Sequence, residues 1–342
     1  MADVGAAARV LSSAGSARPV GISRSRFVRF RRARPRATAS GLEGGGRRPL
    51  MLVSDLDGTM VGDTAATDAA TSRFRDWWER EQRPAGGQLV FSTGRTLAGF
   101  LDLRDAKGAT LADPDLLVGG VGTRVYRRRR HGAGGGGDDA YAFDEDVGWR
   151  GVLGGDGVNG WDAGAVWALL ERAREVACAA HPTVDGAVHW RPPEELSSHK
   201  YTLGAADAAV DAFTEGVRSA LAEGGLSARV VVSGVGGWRY VDVLPAAAGK
   251  RNCLAWVAKE LGFRPDCVVA CGDSMNDADM LGVAPDELWA PGERWAAIAV
   301  GNAQPDLRKA VQCALGSHDR LVLAADTHAD GIIEGLSALS LA

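Results

Sequence analysis

Four short clusters hold residue types that can act together on a phosphate. The first is Asp55-Leu56-Asp57-Gly58-Thr59. At a strand end alternate side chains point the same way, so Asp55 and Asp57 can share one space. Two carboxylates that close repel unless a cation lies between them. Oxygen ligands favour a hard ion such as Mg²⁺, held by few protein groups and several waters. The second cluster, Ser92-Thr93-Gly94-Arg95, offers a hydroxyl and backbone N–H groups at a helix start, which can hold phosphate oxygens. The third, Gly249-Lys250, opens a helix with a compact cation suited to a phosphoryl group. The fourth, Gly272-Asp273-Ser274-Met275-Asn276-Asp277, adds two carboxylates and an amide. Each is weak alone, since paired acids and a Thr-Gly-Arg are common in turns. Four in this order, each at the end of a predicted strand or the start of the next helix, are hard to explain as coincidence.

The elements that must position them are legible as buried apolar runs followed by helical stretches. Strands are predicted over 49–54, 89–91, 116–119 and 267–271, each short enough for a buried parallel strand. Helices are predicted over 66–80, 96–107 and 250–261. Phe74, Trp77 and Trp78 fall at helical spacing and read as core contacts. This strand–loop–helix order predicts a Rossmann-like doubly wound parallel sheet, whose ligands lie beyond the carboxyl ends of the strands. Residues 149–245 have another texture. Helices over 161–180 and 205–223 alternate with strands over 189–191, 200–203, 228–233 and 238–244. That suits an α+β cap inserted into the first domain. The expected division is therefore a catalytic core of 49–148 and 246–342 with a cap of 149–245. Arg127 to Arg130 and the glycine-rich run 131–139 read as an exposed hairpin loop. With no aromatic platform beside them, the arginines are a poor single-strand binding patch.

Charge divides the chain differently. Residues 1–48 hold eleven Arg and no Lys against Asp3 and Glu43, a net +9. The remaining 28 basic and 41 acidic residues of the 342 give −13, within a formal total of −4. An acidic body of this kind repels nucleic-acid backbones. The Arg-, Ala- and Ser-rich leader matches an organelle transit peptide, plastid before mitochondrion, with a disordered basic tail on a cytoplasmic protein as the alternative. No apolar run approaches the roughly 18–20 residues that span a bilayer, so no membrane helix is expected. Cys178, Cys253, Cys267, Cys271 and Cys313 include no CxxC pair and read as free thiols.

The clusters and their order resemble the haloacid dehalogenase superfamily, and within it the sucrose-phosphate phosphatase family. The closer resemblance is carried by Ser54 to Val61 with Arg73-Phe74, by Leu89 to Arg95, and by Val121-Gly122-Thr123 and His199-Lys200. It continues through Asp242-Val243-Leu244-Pro245, Gly249-Lys250, Ala270 to Asp277, Gly301 to Gln304 and Gly331-Ile332-Ile333. It implies Mg²⁺-dependent hydrolysis of sucrose 6-phosphate to sucrose and phosphate, with the cap reading the sugar. It also implies roles. Asp55 would be the nucleophile, Asp57 the general acid and base, Thr93 a phosphoryl contact and Lys250 the neutralising cation. Asp55, Asp273 and the Asp57 backbone carbonyl would hold the metal, with Asp277 supporting its waters. Thr93, Gly94, Lys250 and Asn276 would hold the phosphate. Arg95, His199, Lys200 and Asp242 are the sugar-side candidates. Partners would be a small sugar phosphate and a sucrose-phosphate synthase.

The chain departs from the family at several points. Plant members carry a further C-terminal domain, and this sequence, ending at Ala342, resembles the shorter cyanobacterial form. Leu196 stands where the family has Gln ahead of Lys200, so residues 194–200 bear on which sugar phosphate is read. His199 and Lys200 can equally be a solvated strand-end pair. Trp190 and Trp238 suit a sugar-stacking role or the cap core. A non-catalytic sugar-phosphate-binding partner of the synthase is disfavoured by the presence of Asp55.

Overall fold

The computed structural model describes residues 48–129, 142–154, 158–182, 184, 186–234, 236–283, 294–316 and 318–342. Residues 1–47 of the leader and the glycine-rich run 131–139 lie outside the described residues. The elements in chain order are β1 (Met51–Ser54), α1 (Ala65–Trp77), β2 (Gln88–Ser92), α2 (Leu97–Lys107), β3 (Leu116–Gly119), β4 (Arg124–Arg128), β5 (Phe143–Glu145) and α3 (Val147–Leu153). Next come α4 (Ala163–Ala180), β6 (Val188–Trp190), β7 (Tyr201–Ala206), α5 (Asp207–Glu223), β8 (Ala228–Ser233) and β9 (Trp238–Pro245). The chain closes with α6 (Lys250–Leu261), β10 (Val268–Gly272), β11 (Ala296–Ala299), α7 (Pro305–Ala314), β12 (Leu321–Leu323) and α8 (His328–Ala338). Among the described residues no helix is long and apolar enough to cross a membrane.

Eight strands form one sheet in the order β12-β11-β10-β1-β2-β3-β4-β5. The run from β12 to β3 is parallel, and β4 and β5 pair antiparallel at one edge. Strand alternation sends successive side chains to opposite faces, each covered by helices. Leu52, Phe91, Leu117 and Cys271 face α1, α2 and α8 through Phe74, Phe100 and Ile332. Met51, Val53, Val90 and Ala270 face α3, α6 and α7 through Trp149, Leu254 and Leu307. Burial on both faces explains why these strands read as continuous apolar runs. Trp149 and Leu153 pack in this second core.

The predicted 66–80 helix is two pieces. Thr64 caps α1 in a capping box with Thr67, and a π-helical turn over Trp78–Gln82 follows. Trp78 is thereby kept against Phe74 in the core. The predicted helix over 205–223 begins at Asp207, because Ala205 and Ala206 continue β7 by pairing with Arg239 and Trp238 of β9. Arg127, Arg128 and Arg129 each meet an acid, Asp146, Asp113 and Asp144 respectively. They are matched by the protein itself.

The second sheet, β6-β7-β9-β8, is antiparallel throughout. One face packs Leu203, Ala205, Val241 and Val243 against Val166 and Leu170 of α4 and Phe213 and Val217 of α5. By alternation the opposite face carries Thr202, Asp242, Tyr240, Arg229 and Val231. Val231 packs against the core of the large sheet, so this open face turns toward it.

Candidate active site

β1 lies at the middle of the large sheet, between β10 and β2. Chain order departs from it in both directions, which makes its carboxyl end a topological switch point. Asp55 follows β1, Thr93 follows β2 and Asp273 follows β10, so these groups emerge side by side. Asp55 continues the strand ladder by donating its N–H to the Cys271 carbonyl at 3.0 Å.

Asp55, Asp273 and Asp277 are all buried, and one oxygen of each lies within 4.8 Å of the others. Lys250, the first residue of α6, is also buried and reaches into this group. Its Nζ donates to Asp55 Oδ1 at 2.8 Å, to Asp277 Oδ1 at 2.6 Å and to Asn276 Oδ1 at 3.4 Å. Asp277 accepts backbone N–H groups from Asp273 at 3.1 Å and Ser274 at 3.0 Å on its other oxygen. Burial pushes the Asp55 carboxyl well up; Lys250 opposes this, and Asp277 and Asp273 add to it. Burial and the Asp277 charge push Asp273 up to about 7, with the Thr59 hydroxyl opposing. Lys250 is held charged by Asp277 and Asp55 against its own desolvation. Three clustered carboxylates thus have one ammonium among them, which touches two. That excess of hard oxygen donors fits a divalent cation, which would relieve the repulsion.

Asp57 does not join the cluster with its side chain. Its carboxylate is exposed and is gripped by Arg95, Nε to Oδ2 at 2.8 Å and Nη2 to Oδ1 at 2.7 Å. The Arg95 guanidinium therefore sits on Asp57. Thr93 is buried and its Oγ1 accepts the Arg95 N–H at 3.1 Å, while Gly94 is exposed. Lys200 and Asp242 pair with each other at 3.0 Å on the open face of the second sheet, bridged by Thr202 Oγ1, which donates to Asp242 at 2.6 Å and accepts from Lys200 at 2.6 Å. Lys200 Cδ lies beside Gly120, in the loop after β3. His199 is tied instead to the Gly154 carbonyl at 2.9 Å. Trp190 stacks on Trp167 with ring centroids 4.1 Å apart and donates to Glu171, as part of the second sheet's packing with α4. Trp238 is 40 % exposed, edge-on to His189.

Some supporting residues are visible only in the structure. Thr59 Oγ1 donates to Asp273 Oδ1 at 2.8 Å. Asn302, beyond β11, donates to the Gly58 carbonyl at 2.6 Å, and the Gln304 N–H meets the Asp273 carbonyl at 2.7 Å. Both belong to the Gly301–Gln304 segment that carries the resemblance, but nothing in their spacing indicated these partners, of which Gly58 lies 244 positions away. Gly122 is a tighter constraint. It has φ +83°, and a Cβ there would occupy the space of the Gly249 carbonyl group just before Lys250. Gly122→Ala is expected to cost about 1–3 kcal/mol from strain alone, read as a lower midpoint in urea unfolding.

Comparison with known proteins places this geometry. The family model described as sucrose-6F-phosphate phosphohydrolase matches residues 48–153 and 160–339. Mannosylfructose-phosphate phosphatase of Agrobacterium fabrum is 32% identical over 291 residues, 84% of this chain and 96% of that protein. Sucrose-phosphatase 2 of Nicotiana tabacum is 29% identical over 295 residues, 85% of this chain but 59% of that protein. The chain thus spans little more than half the length of that plant relative. Among solved structures, Synechocystis sucrose-phosphatase in complex with sucrose and phosphate matches with TM-score 0.60 and 24% identity over 86% of this chain and 98% of that one. A haloacid dehalogenase-like hydrolase from Bacillus subtilis matches at TM-score 0.54 and 14% identity, over 87% and 94% respectively. Both share the fold.

Proposed function

The chain belongs to the sucrose-6F-phosphate phosphohydrolase family within the haloacid dehalogenase superfamily, and on that premise we propose that it is a Mg²⁺-dependent phosphatase that hydrolyses sucrose 6-phosphate. The observation that carries this reading is the buried set of Asp55, Asp273 and Asp277 around Lys250 at the switch point of the sheet.

In this reading an Asp55 carboxylate oxygen attacks phosphorus, and the bond from phosphorus to the sugar oxygen breaks. Asp57 gives its proton to that leaving oxygen. Water then attacks the phosphoaspartyl group, Asp57 takes its proton, and the bond to Asp55 breaks to restore the carboxylate. Arg95 uses one lone pair on each Asp57 oxygen, which leaves a second on each for the proton. Lys250 holds Asp55 in place and opposes negative charge on the transferring group. Thr93, Gly94 and Asn276 serve the phosphate oxygens. Mg²⁺, held by Asp55, Asp273 and the Asp57 carbonyl with Asp277 behind its waters, would supply a fixed positive charge for phosphate oxygens. Catalysis of this kind is mostly positioning and electrostatics.

Residues 149–245 are proposed as the cap over core segments 49–148 and 246–342, although Trp149 and Leu153 at its start pack with the core, and the Lys200–Asp242 pair on its open face supports a sugar-reading role. The leader serves as an organelle address, plastid first, on its composition. The substrate must come from an enzyme that makes a phosphorylated disaccharide, the sucrose-phosphate synthase that the resemblance implies as partner.

The Agrobacterium fabrum relative, matched over 96% of its length, supports a second reading: mannosylfructose phosphate as substrate. Both disaccharide phosphates share a leaving hexose carrying a glycosyl substituent. Phosphate release should be measured with Mg²⁺ on sucrose 6-phosphate, mannosylfructose phosphate, glucosylglycerol phosphate and fructose 6-phosphate. One disaccharide phosphate is expected to lead fructose 6-phosphate by at least about 10-fold in kcat/KM. Equal turnover of fructose 6-phosphate would sink the disaccharide claim, and no release from any would sink the phosphatase. Chelation by EDTA should abolish release and excess Mg²⁺ restore it.

A further inference from the structure

Arg229 ties the cap to the segments that flank the catalytic cluster. Arg229 lies on β8, an edge strand of the second sheet, on the face opposite its helices. β8 runs against the Met275–Asp277 turn of the core. Arg229 Nη1 donates to Asp279 Oδ2 at 3.1 Å and to the Ala248 carbonyl at 3.3 Å. Its guanidinium also fills the space that a Cβ on Gly249 would need. The Gly249 carbonyl group in turn fills the space that a Cβ on Gly122 would need. Gly249 is therefore clamped between the loop after β3 and a cap side chain, and the next residue is Lys250. Asp279 in turn is two residues beyond Asp277, and its Oδ1 accepts the Met280 N–H at 2.7 Å. The Arg229–Asp279 ion pair thus joins the cap strand to the core segment that carries Asp277.

We propose that Arg229 is a positioning residue for the phosphatase reaction: seated with the cap, it braces the two core segments that deliver Lys250 and Asp277 to Asp55. This rests on the phosphatase reading, and it links cap seating to the geometry of the charge cluster. Both bonds leave from one nitrogen, Nη1, so an ammonium that reached the same point could replace part of them. A small displacement of a catalytic cation is enough to slow a positioned reaction.

The test uses the full chain with Arg229→Ala and Arg229→Lys. Backbone hydrogen exchange over residues 246–253 and 275–281 is expected to quicken about 10-fold in Arg229→Ala, less in Arg229→Lys, with residues 51–54 unchanged. In steady state kcat should fall about 10-fold in Arg229→Ala with KM held within about 2-fold. Phenyl phosphate, which has no sugar for the cap to read, should lose the same factor. Arg229→Lys should recover part of kcat. A rise in KM confined to sugar phosphates, with kcat kept, would make Arg229 a sugar contact and overturn the proposal. Unchanged exchange at both segments, or faster exchange that includes residues 51–54, would overturn it too. If the wild-type protein released no phosphate, the phosphatase reading would fail by itself, while the exchange measurement would still decide the brace.

Discussion

Asp55→Asn is expected to lower phosphate release by at least about 10⁴-fold, because an amide cannot attack phosphorus as a carboxylate does. The physical setting makes this variant a clean one. Asp55 is buried, and burial together with the Asp277 and Asp273 charges disfavours its ionised form. A neutral amide of the same shape removes one of three crowded carboxylates without opening a cavity. The variant is therefore expected to match or exceed the wild type in thermal stability without metal, so lost turnover would not reflect unfolding. A second readout separates nucleophile from bystander. Acid-quenched wild type turning over labelled sugar phosphate should carry protein-bound phosphate, and Asp55→Asn should carry none. Retention of a tenth of wild-type activity would rule out Asp55 as nucleophile.

Lys250→Met should give the largest combined loss, in stability as well as rate. The Lys250 side chain is wholly buried, and its ammonium sits between Asp55 at 2.8 Å and Asp277 at 2.6 Å. Methionine keeps much of the volume and removes the charge. Breaking a buried ion pair from one side typically costs about 3–5 kcal/mol, because the partner charge stays buried and uncompensated. Here two contacting carboxylates and nearby Asp273 would be left together. Urea unfolding without metal should show that loss, and added Mg²⁺ should recover more stability in the variant than in the wild type, by taking over part of the missing charge. Phosphate release should fall with it. A variant as stable as wild type in EDTA would mean that Lys250 does not hold the cluster together.

Much of the fold could be read from local pattern. The bounds of β3, β8 and α6 coincide with those predicted from apolar runs and turn residues. β11 and β12 were not legible: Ala-Ala-Ile-Ala and Leu-Val-Leu are too short and too weakly β-branched to stand out. β11 becomes a strand because β10 offers it an edge, and β12 because β11 does. Trp190 and Trp238 show the same limit. Both lie on strands of one sheet, yet Trp190 packs on Trp167 and Trp238 is half exposed, and only the register tells the faces apart.

The site divides likewise. Residue types and order along the chain determined which clusters follow strands, and hence that Asp55, Thr93 and Asp273 emerge at one end of a parallel sheet. Alternation and strand order are enough for that. Which side chains then pair was decided by tertiary structure alone. Lys250 meets Asp55 across 195 positions of sequence and Arg95 takes Asp57 across 38. Arg95, Lys200 and Asp242 looked alike as sugar contacts, but the fold ties the first to the core carboxylate and the other two to each other. The reason is physical. Local periodicity specifies directions within an element, whereas a buried charge is satisfied by whatever lies within about 3 Å once the layers close.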